Sequence, residues 1–133
     1  MATLNHKQRE FLEQPFAAAV TTLRSDGSPH TTVVWVDVDD QVVMFNTAVG
    51  RAKERHLREN PRVSLNVLDP QDQYRWLSVS GSAELTTEGA DPQIDKLAKK
   101  YLGQDEYPWR NPEEQRITVR IQPEHIDAYG LDE

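Results

Sequence analysis

Gln41-Val42-Val43-Met44-Phe45-Asn46-Thr47, followed by Gly50-Arg51-Ala52-Lys53-Glu54-Arg55-His56-Leu57-Arg58-Glu59-Asn60-Pro61-Arg62-Val63, is a strand-like run that feeds a short basic helix. Between Arg51 and Arg62 five Lys/Arg stand against two Asp/Glu, a local balance of +3 in a chain whose formal net charge is -7. Basic side chains that open a helix just after a strand form an arrangement that receives phosphate. The helix N-terminus presents unpaired N–H groups and the positive end of its dipole. A solvated charged helix is the competing reading of the same residues.

Upstream, Leu4 to Gln14 reads as an amphipathic helix with Leu4, Phe11 and Leu12 near one face, stopped by Pro15. The apolar run Phe16 to Leu23 and the β-branched run His30 to Val38 flank Asp26-Gly27, a hairpin signal. Asp39-Asp40 turns the second run into Gln41 to Thr47, so a three-strand meander is expected. Downstream, Asn60-Pro61 ends the basic helix. Arg62 to Leu68 alternates with Val63, Leu65 and Val67 on its apolar face. Tyr74 to Leu85 reads as a long strand in which Gly81 permits a bulge. Thr86 to Pro92 carries a capping signature before a helix over Gln93 to Leu102, whose stripe is Ile94, Leu97, Ala98, Tyr101 and Leu102 and whose end is Gly103. An aromatic loop containing Tyr107 and Trp109 precedes a last strand, Gln115 to Ile121, which Ile126, Ala128 and Tyr129 extend. Helices at the ends of a closing antiparallel sheet fit this order better than a doubly wound parallel sheet.

The 133 residues suit one domain, 1–133, with 37% hydrophobic and 28% charged residues typical of a globular protein. The first residues, Met1 to Lys7, lack a signal-peptide core and no apolar run reaches membrane-span length, so a cytoplasmic protein without membrane contact is expected. The absence of cysteine removes disulfides, thiolate nucleophiles and cysteine metal sites. Redox chemistry must come from a cofactor. A pI near 5.1 argues against nucleic-acid binding. The histidines at 6, 30, 56 and 125 show no metal spacing, and no P-loop or nucleophile elbow is present.

The combination Asp26-Gly27-Ser28-Pro29-His30, the Val33-to-Val38 strand, Gly50-Arg51-Ala52-Lys53 with His56-Leu57, Asn60-Pro61-Arg62-Val63-Ser64-Leu65 and the closing Ile126-Asp127-Ala128-Tyr129-Gly130 resembles the flavin/deazaflavin oxidoreductase superfamily. Within it the chain looks most like the B group. The resemblance implies a mainly β fold: a six-to-seven-stranded antiparallel split β-barrel, like pyridoxamine 5'-phosphate oxidase, with flanking helices. It also implies a homodimer with cofactor sites between subunits. Arg51 and Lys53, flanking Ala52, would hold the cofactor phosphate, an Arg fork and a Lys point charge being complementary to concentrated anionic charge. Asn46 and Thr47 would bond the ribityl-phosphate region. Thr32, Val34 and Trp35 would line the flat ring, Trp76 would reach in from the partner subunit, and Arg55 and Arg58 would face an anionic tail.

The same residues have plainer readings. Trp35 suits a core, Arg55 and Arg58 can pair with Glu54 and Glu59, and Tyr101, Tyr107 and Trp109 suit core or dimer packing better than a substrate cage. The expected activity is hydride transfer from reduced coenzyme F420 to a conjugated or electron-poor small molecule such as a quinone, enone or bilin, with no catalytic acid or base assigned. FMN is the alternative cofactor. A carrier of flavin, deazaflavin or tetrapyrrole is the non-enzymatic alternative.

Overall fold

The computed structural model describes residues 2–133; Met1 lies outside them. Asn5 opens α1 (His6–Glu13) with a capping box, accepting from the Gln8 N–H at 2.7 Å while the Gln8 side chain accepts from the Asn5 N–H at 2.9 Å. Two donors that a helix start leaves orphaned are thereby satisfied. The helix ends at Gln14, before Pro15, and buries Phe11 and Leu12 together with Leu4.

β1 (Ala18–Leu23) and β2 (Pro29–Val34) form the hairpin expected around Asp26-Gly27, with the Asp26 carboxylate accepting from the Ser28 N–H at 2.9 Å. The expected meander ends there. β2 stops at Val34, and after Trp35-Val36 the chain resumes as β3 (Asp37–Asp39), which pairs with β4 (Val42–Ala48). With α2 (Ala52–Glu59), β5 (Arg62–Asp69), β6 (Asp72–Thr86), α3 (Ala90–Leu102) and β7 (Arg116–Tyr129) in place, the sheet order is β2-β1-β5-β6-β7-β4-β3, and each of these pairings is antiparallel.

This order forces closure. β2 and β3 are the opposite edges of one sheet, yet only Trp35 and Val36 separate them in sequence. An extended chain spans about 11 Å at most from Val34 to Asp37. The two edges must therefore meet, and the seven strands curl into a barrel split along that seam. The mainly β split barrel with flanking helices is as expected; the meander is not, because β-propensity reports that a run is extended and says nothing of which strand it pairs with.

At the seam the backbone of Val36 is served by α3. Its N–H donates to the Tyr101 hydroxyl at 3.0 Å, which donates onward to the Phe16 carbonyl at 2.7 Å. The Lys100 ammonium donates to the carbonyls of Val36 and Leu12, each at 2.6 Å. Burial pushes Lys100 down to about 8 and Tyr101 up to about 12. α3 itself starts at Ala90, earlier than the sequence suggests, and among the described residues no side chain caps it, Gly89 occupying the cap position. Ile94, Leu97 and Ala98 are buried as expected, whereas Leu102, in the last turn, is 40% exposed. Gly103 ends the helix with φ +73°, a conformation that favours glycine.

β5 buries Val63, Leu65 and Val67. β6 and β7 bend together where the register shifts between Ser80 and Gly81. A Cβ on Gly81 would lie 2.2 Å from the Gln122 carbonyl oxygen, so only glycine fits. Inside the barrel Phe45, Leu65, Leu77, Ile117 and Ile121 are fully buried, each such side chain contributing about 1.5–3 kcal/mol. Among the described residues no helix is long and apolar enough to cross a membrane.

Tyr101→Phe leaves the Val36 N–H and the Phe16 carbonyl without that partner and lowers unfolding stability by about 1–3 kcal/mol in urea titration. Lys100 has a pH signature. Its folded pKa lies below the ordinary 10.5, so the penalty on its charged form is full below about pH 8 and is relieved as pH rises towards 10.5. Between pH 8 and 10, wild-type stability measured relative to Lys100→Met rises; a flat difference contradicts this.

Candidate functional site

Six of the residues that resemblance singles out line one groove beside the seam. It has a volume of about 250 Å³ and is lined by Val34 at the end of β2 and Trp35 just after it, Asn46 and Thr47 on β4, and Arg51 and Lys53 at the start of α2. Arg51 is the N-cap of α2 in an extended conformation, and Lys53 follows in the first turn. The turn into the helix is held by Glu54, which is buried, accepts from the Gly50 N–H at 2.8 Å and is ion-paired with Arg58. The Gly50 N–H, and then the Arg58 pair, hold its carboxyl below the usual range.

Lys53 reaches across to β2, its ammonium donating to the Thr32 hydroxyl at 2.9 Å. That partner is neutral. Burial, and then the Arg51 charge, lower the Lys53 pKa, which marks an ammonium poorly compensated by its surroundings. Arg51 pairs with Glu114 at 2.5 Å. Asn46 is fully engaged: its amide donates to the Ala90 carbonyl at 2.9 Å and to the Gln93 side chain at 2.7 Å, while its oxygen accepts from Arg116 Nε at 2.8 Å. It is therefore a buried bracket between β4, β7 and α3.

Trp35 stacks on Tyr101 with centroids 5.4 Å apart and planes 12° from parallel, and meets Tyr107 edge-on at 6.2 Å. It is half-buried and faces both packing and groove. Thr32 is half-buried on β2 beneath Lys53, and Ala52 is half-buried between the two cations. Arg55 and Arg58 are not brought into the groove. Arg55 donates to the Gly50 carbonyl at 2.7 Å, Arg58 pairs with Glu54, and neither lines the cavity. Trp76 lies on β6, across from Leu68 and Tyr129 and outside the groove lining.

Of the groove residues that the sequence did not single out as ligand-binding, Arg116, Tyr107 and Trp109 bear most on its chemistry. Arg116 is 7% exposed, stands over the Tyr107 ring at 5.3 Å, and its pKa is lowered chiefly by burial. Tyr107 and Trp109 line the cavity instead of filling a core, with Trp109 62% exposed. Their loop is fastened to α3 by Asp95, which accepts from the Tyr107 N–H at 2.9 Å and pairs with Arg110 at 2.5 Å. An arginine heading an alternating apolar strand directly after an aromatic loop is the signal that could have drawn attention to Arg116.

The groove thus combines a flat aromatic wall with three cations, Arg51, Lys53 and Arg116, the first of them paired with Glu114 beside the groove. The chain belongs to the pyridoxamine 5'-phosphate oxidase family, whose sequence profile matches residues 4–129. It is 27% identical over 117 residues to the F420H(2)-dependent biliverdin reductase of Mycobacterium tuberculosis (strain CDC 1551 / Oshkosh), covering 87% of this chain and 81% of that protein. It is 36% identical over 81 residues to the pyridoxine/pyridoxamine 5'-phosphate oxidase of Edwardsiella ictaluri (strain 93-146), covering 57% of this chain but 35% of that one. A solved structure titled F420 Reductase superposes with a TM-score of 0.81 at 27% identity, over 93% of this chain and 98% of its own.

Asn46→Ala removes the bracket and leaves buried Arg116 and the Ala90 carbonyl short of partners. A loss of about 2–4 kcal/mol in unfolding free energy is expected, measured by chemical denaturation; a loss below about 0.5 kcal/mol contradicts the bracket role.

Proposed function

We propose that the protein is a coenzyme F420-dependent reductase acting on a conjugated or electron-poor small molecule. The observation that carries this reading is Lys53: a half-buried ammonium, bonded to a neutral hydroxyl, beside Arg51 and a flat Trp35 wall. That donor set suits a phosphate joined to a planar ring. When bound, a reduced deazaflavin supplies a hydride equivalent; the chain's own residues bind and orient. Lys53 and Arg51 hold the phosphate, Ala52 keeps the turn between them narrow, Thr32 orients the Lys53 ammonium, and Val34 and Trp35 pack against the ring. Asn46 and Thr47 bound the intervening segment.

The choice of deazaflavin over FMN is supported by the relative that matches most of both chains, an F420H(2)-dependent biliverdin reductase, and by the structure titled F420 Reductase. The pyridoxine/pyridoxamine 5'-phosphate oxidase match spans about a third of that protein and keeps FMN as the rival. Arg55 and Arg58, set outside the groove, give no support to tail binding within one subunit. Arg116 is the third groove cation instead.

A homodimer belongs to this proposal, with the whole chain as one cofactor-binding domain and Trp76 meeting the neighbouring subunit's groove. Exposed Leu68 (47%), Tyr74 (64%) and Tyr129 (59%) on the same ribbon as Trp76 support an apolar contact surface there.

Titration of the purified protein with coenzyme F420 and with FMN separates the readings. Micromolar quenching by coenzyme F420, with oxidation of the reduced cofactor by a member of a quinone, enone and bilin panel, supports the reductase. Stoichiometric FMN retained through purification overturns it in favour of the FMN enzyme, and binding without turnover across the panel favours a carrier. Lys53→Ala weakens cofactor binding by about 1–3 kcal/mol while the protein remains folded; unchanged affinity refutes the phosphate anchor.

A further inference from the structure

Glu114 is the carboxylate paired with Arg51 of the proposed phosphate anchor, and its position is unusual for a surface counter-ion. It lies two residues before the start of β7, on the segment that carries Tyr107 and Trp109 into the groove, and its side chain is 23% exposed. One oxygen meets Arg51 at 2.5 Å; the other lies 3.4 Å from Arg116 Nη1. Arg51 and Arg116 line the same cavity. Lys53, the third cation there, has a hydroxyl partner and, among the described residues, no carboxylate.

We propose that Glu114 is a built-in competitor for the phosphate anchor: it occupies Arg51 until a ligand phosphate takes that guanidinium, and then falls back on Arg116. The inference rests on the reading of Arg51 and Lys53 as the anchor. The geometry makes the exchange inexpensive, because the carboxylate already spans both arginines and moves from one to the other without entering water alone. The Arg51 contact also holds the Glu114 carboxyl below its usual range, so it is ionised whenever a phosphate competes with it. A ligand that brings two negative charges on one group displaces a single carboxylate; a neutral or uncharged-tail ligand does not. Glu114 thereby lowers the affinity of the anchor for phosphate-bearing ligands and leaves the binding of their dephosphorylated forms untouched.

Glu114→Gln removes the charge and keeps the shape. Inorganic pyrophosphate serves as an anchor-only probe, FMN and riboflavin as a matched pair with and without phosphate, and coenzyme F420 as the proposed cofactor. Dissociation constants are read by calorimetry and tryptophan quenching on the full chain. We expect pyrophosphate and FMN to bind on the order of fivefold more tightly to Glu114→Gln, as for release of one partly exposed ion pair, with riboflavin unchanged. Glu114→Ala repeats the measurement if the glutamine variant has a lowered unfolding midpoint. Unchanged or weakened pyrophosphate affinity in the folded variants overturns the proposal, as does failure of pyrophosphate to bind either form. Failure of coenzyme F420 alone, with pyrophosphate tightening as stated, removes the F420 reading and leaves the competitor role standing.

Discussion

Two residues, Trp35 and Val36, join opposite edges of a seven-stranded sheet, and the architecture depends on that short link. A strand that leaves one edge and enters the other abandons ladder hydrogen bonds on both sides, and buried peptide groups without partners are costly. Val36 is fully buried. Tyr101 and Lys100 supply what the ladder cannot, and in doing so tie α3 to the end of α1 through the Phe16 and Leu12 carbonyls. The depressed Lys100 pKa records the cost of placing an ammonium there. A charged donor to two carbonyls offsets that cost better than a neutral one would.

The groove follows from the same link. Trp35 rests on the Tyr101 ring that caps the seam, so the flat wall of the site is positioned by the element that closes the barrel. The floor is set from the other direction, where Asn46 ties β4 to Arg116 on β7 and to the start of α3. With both walls fixed, the start of α2 needs only to present Arg51 and Lys53 across the opening, and Glu54 holds it there through the Gly50 N–H. Like charges are thus kept together by the fold, against their mutual repulsion, with Glu114 as their carboxylate neighbour. A site that stores uncompensated positive charge is suited to an anionic ligand.

Local chemistry was legible in the chain. The stop before Pro15, the Asp26-Gly27 hairpin, the apolar alternation of Val63, Leu65 and Val67, the bulge at Gly81 and the end of α3 at Gly103 each depend on residues a few positions apart. The basic island at Arg51 and Lys53 was legible too, as was the family to which the chain belongs. The misreadings concern pairing and facing. His30 to Val38 reads as one strand because nothing in its β-branched residues signals a change of partner at Trp35. Arg55 and Arg58 carry the charge a phosphate tail wants, but they sit on the helix face turned to Gly50 and Glu54.

By itself, then, the sequence determined which runs are extended, which are helical, where turns fall, and that cations gather after the strand at Gln41 to Thr47, because those properties are written in contacts of short sequence separation. Only the tertiary structure decided that Lys100 serves Val36, that Glu114 meets Arg51 and that Arg116 reaches Asn46, pairs separated by 64, 63 and 70 residues. Such contacts arise from closure of the barrel, and hydrophobic periodicity carries no information about which distant polar groups closure will leave facing one another.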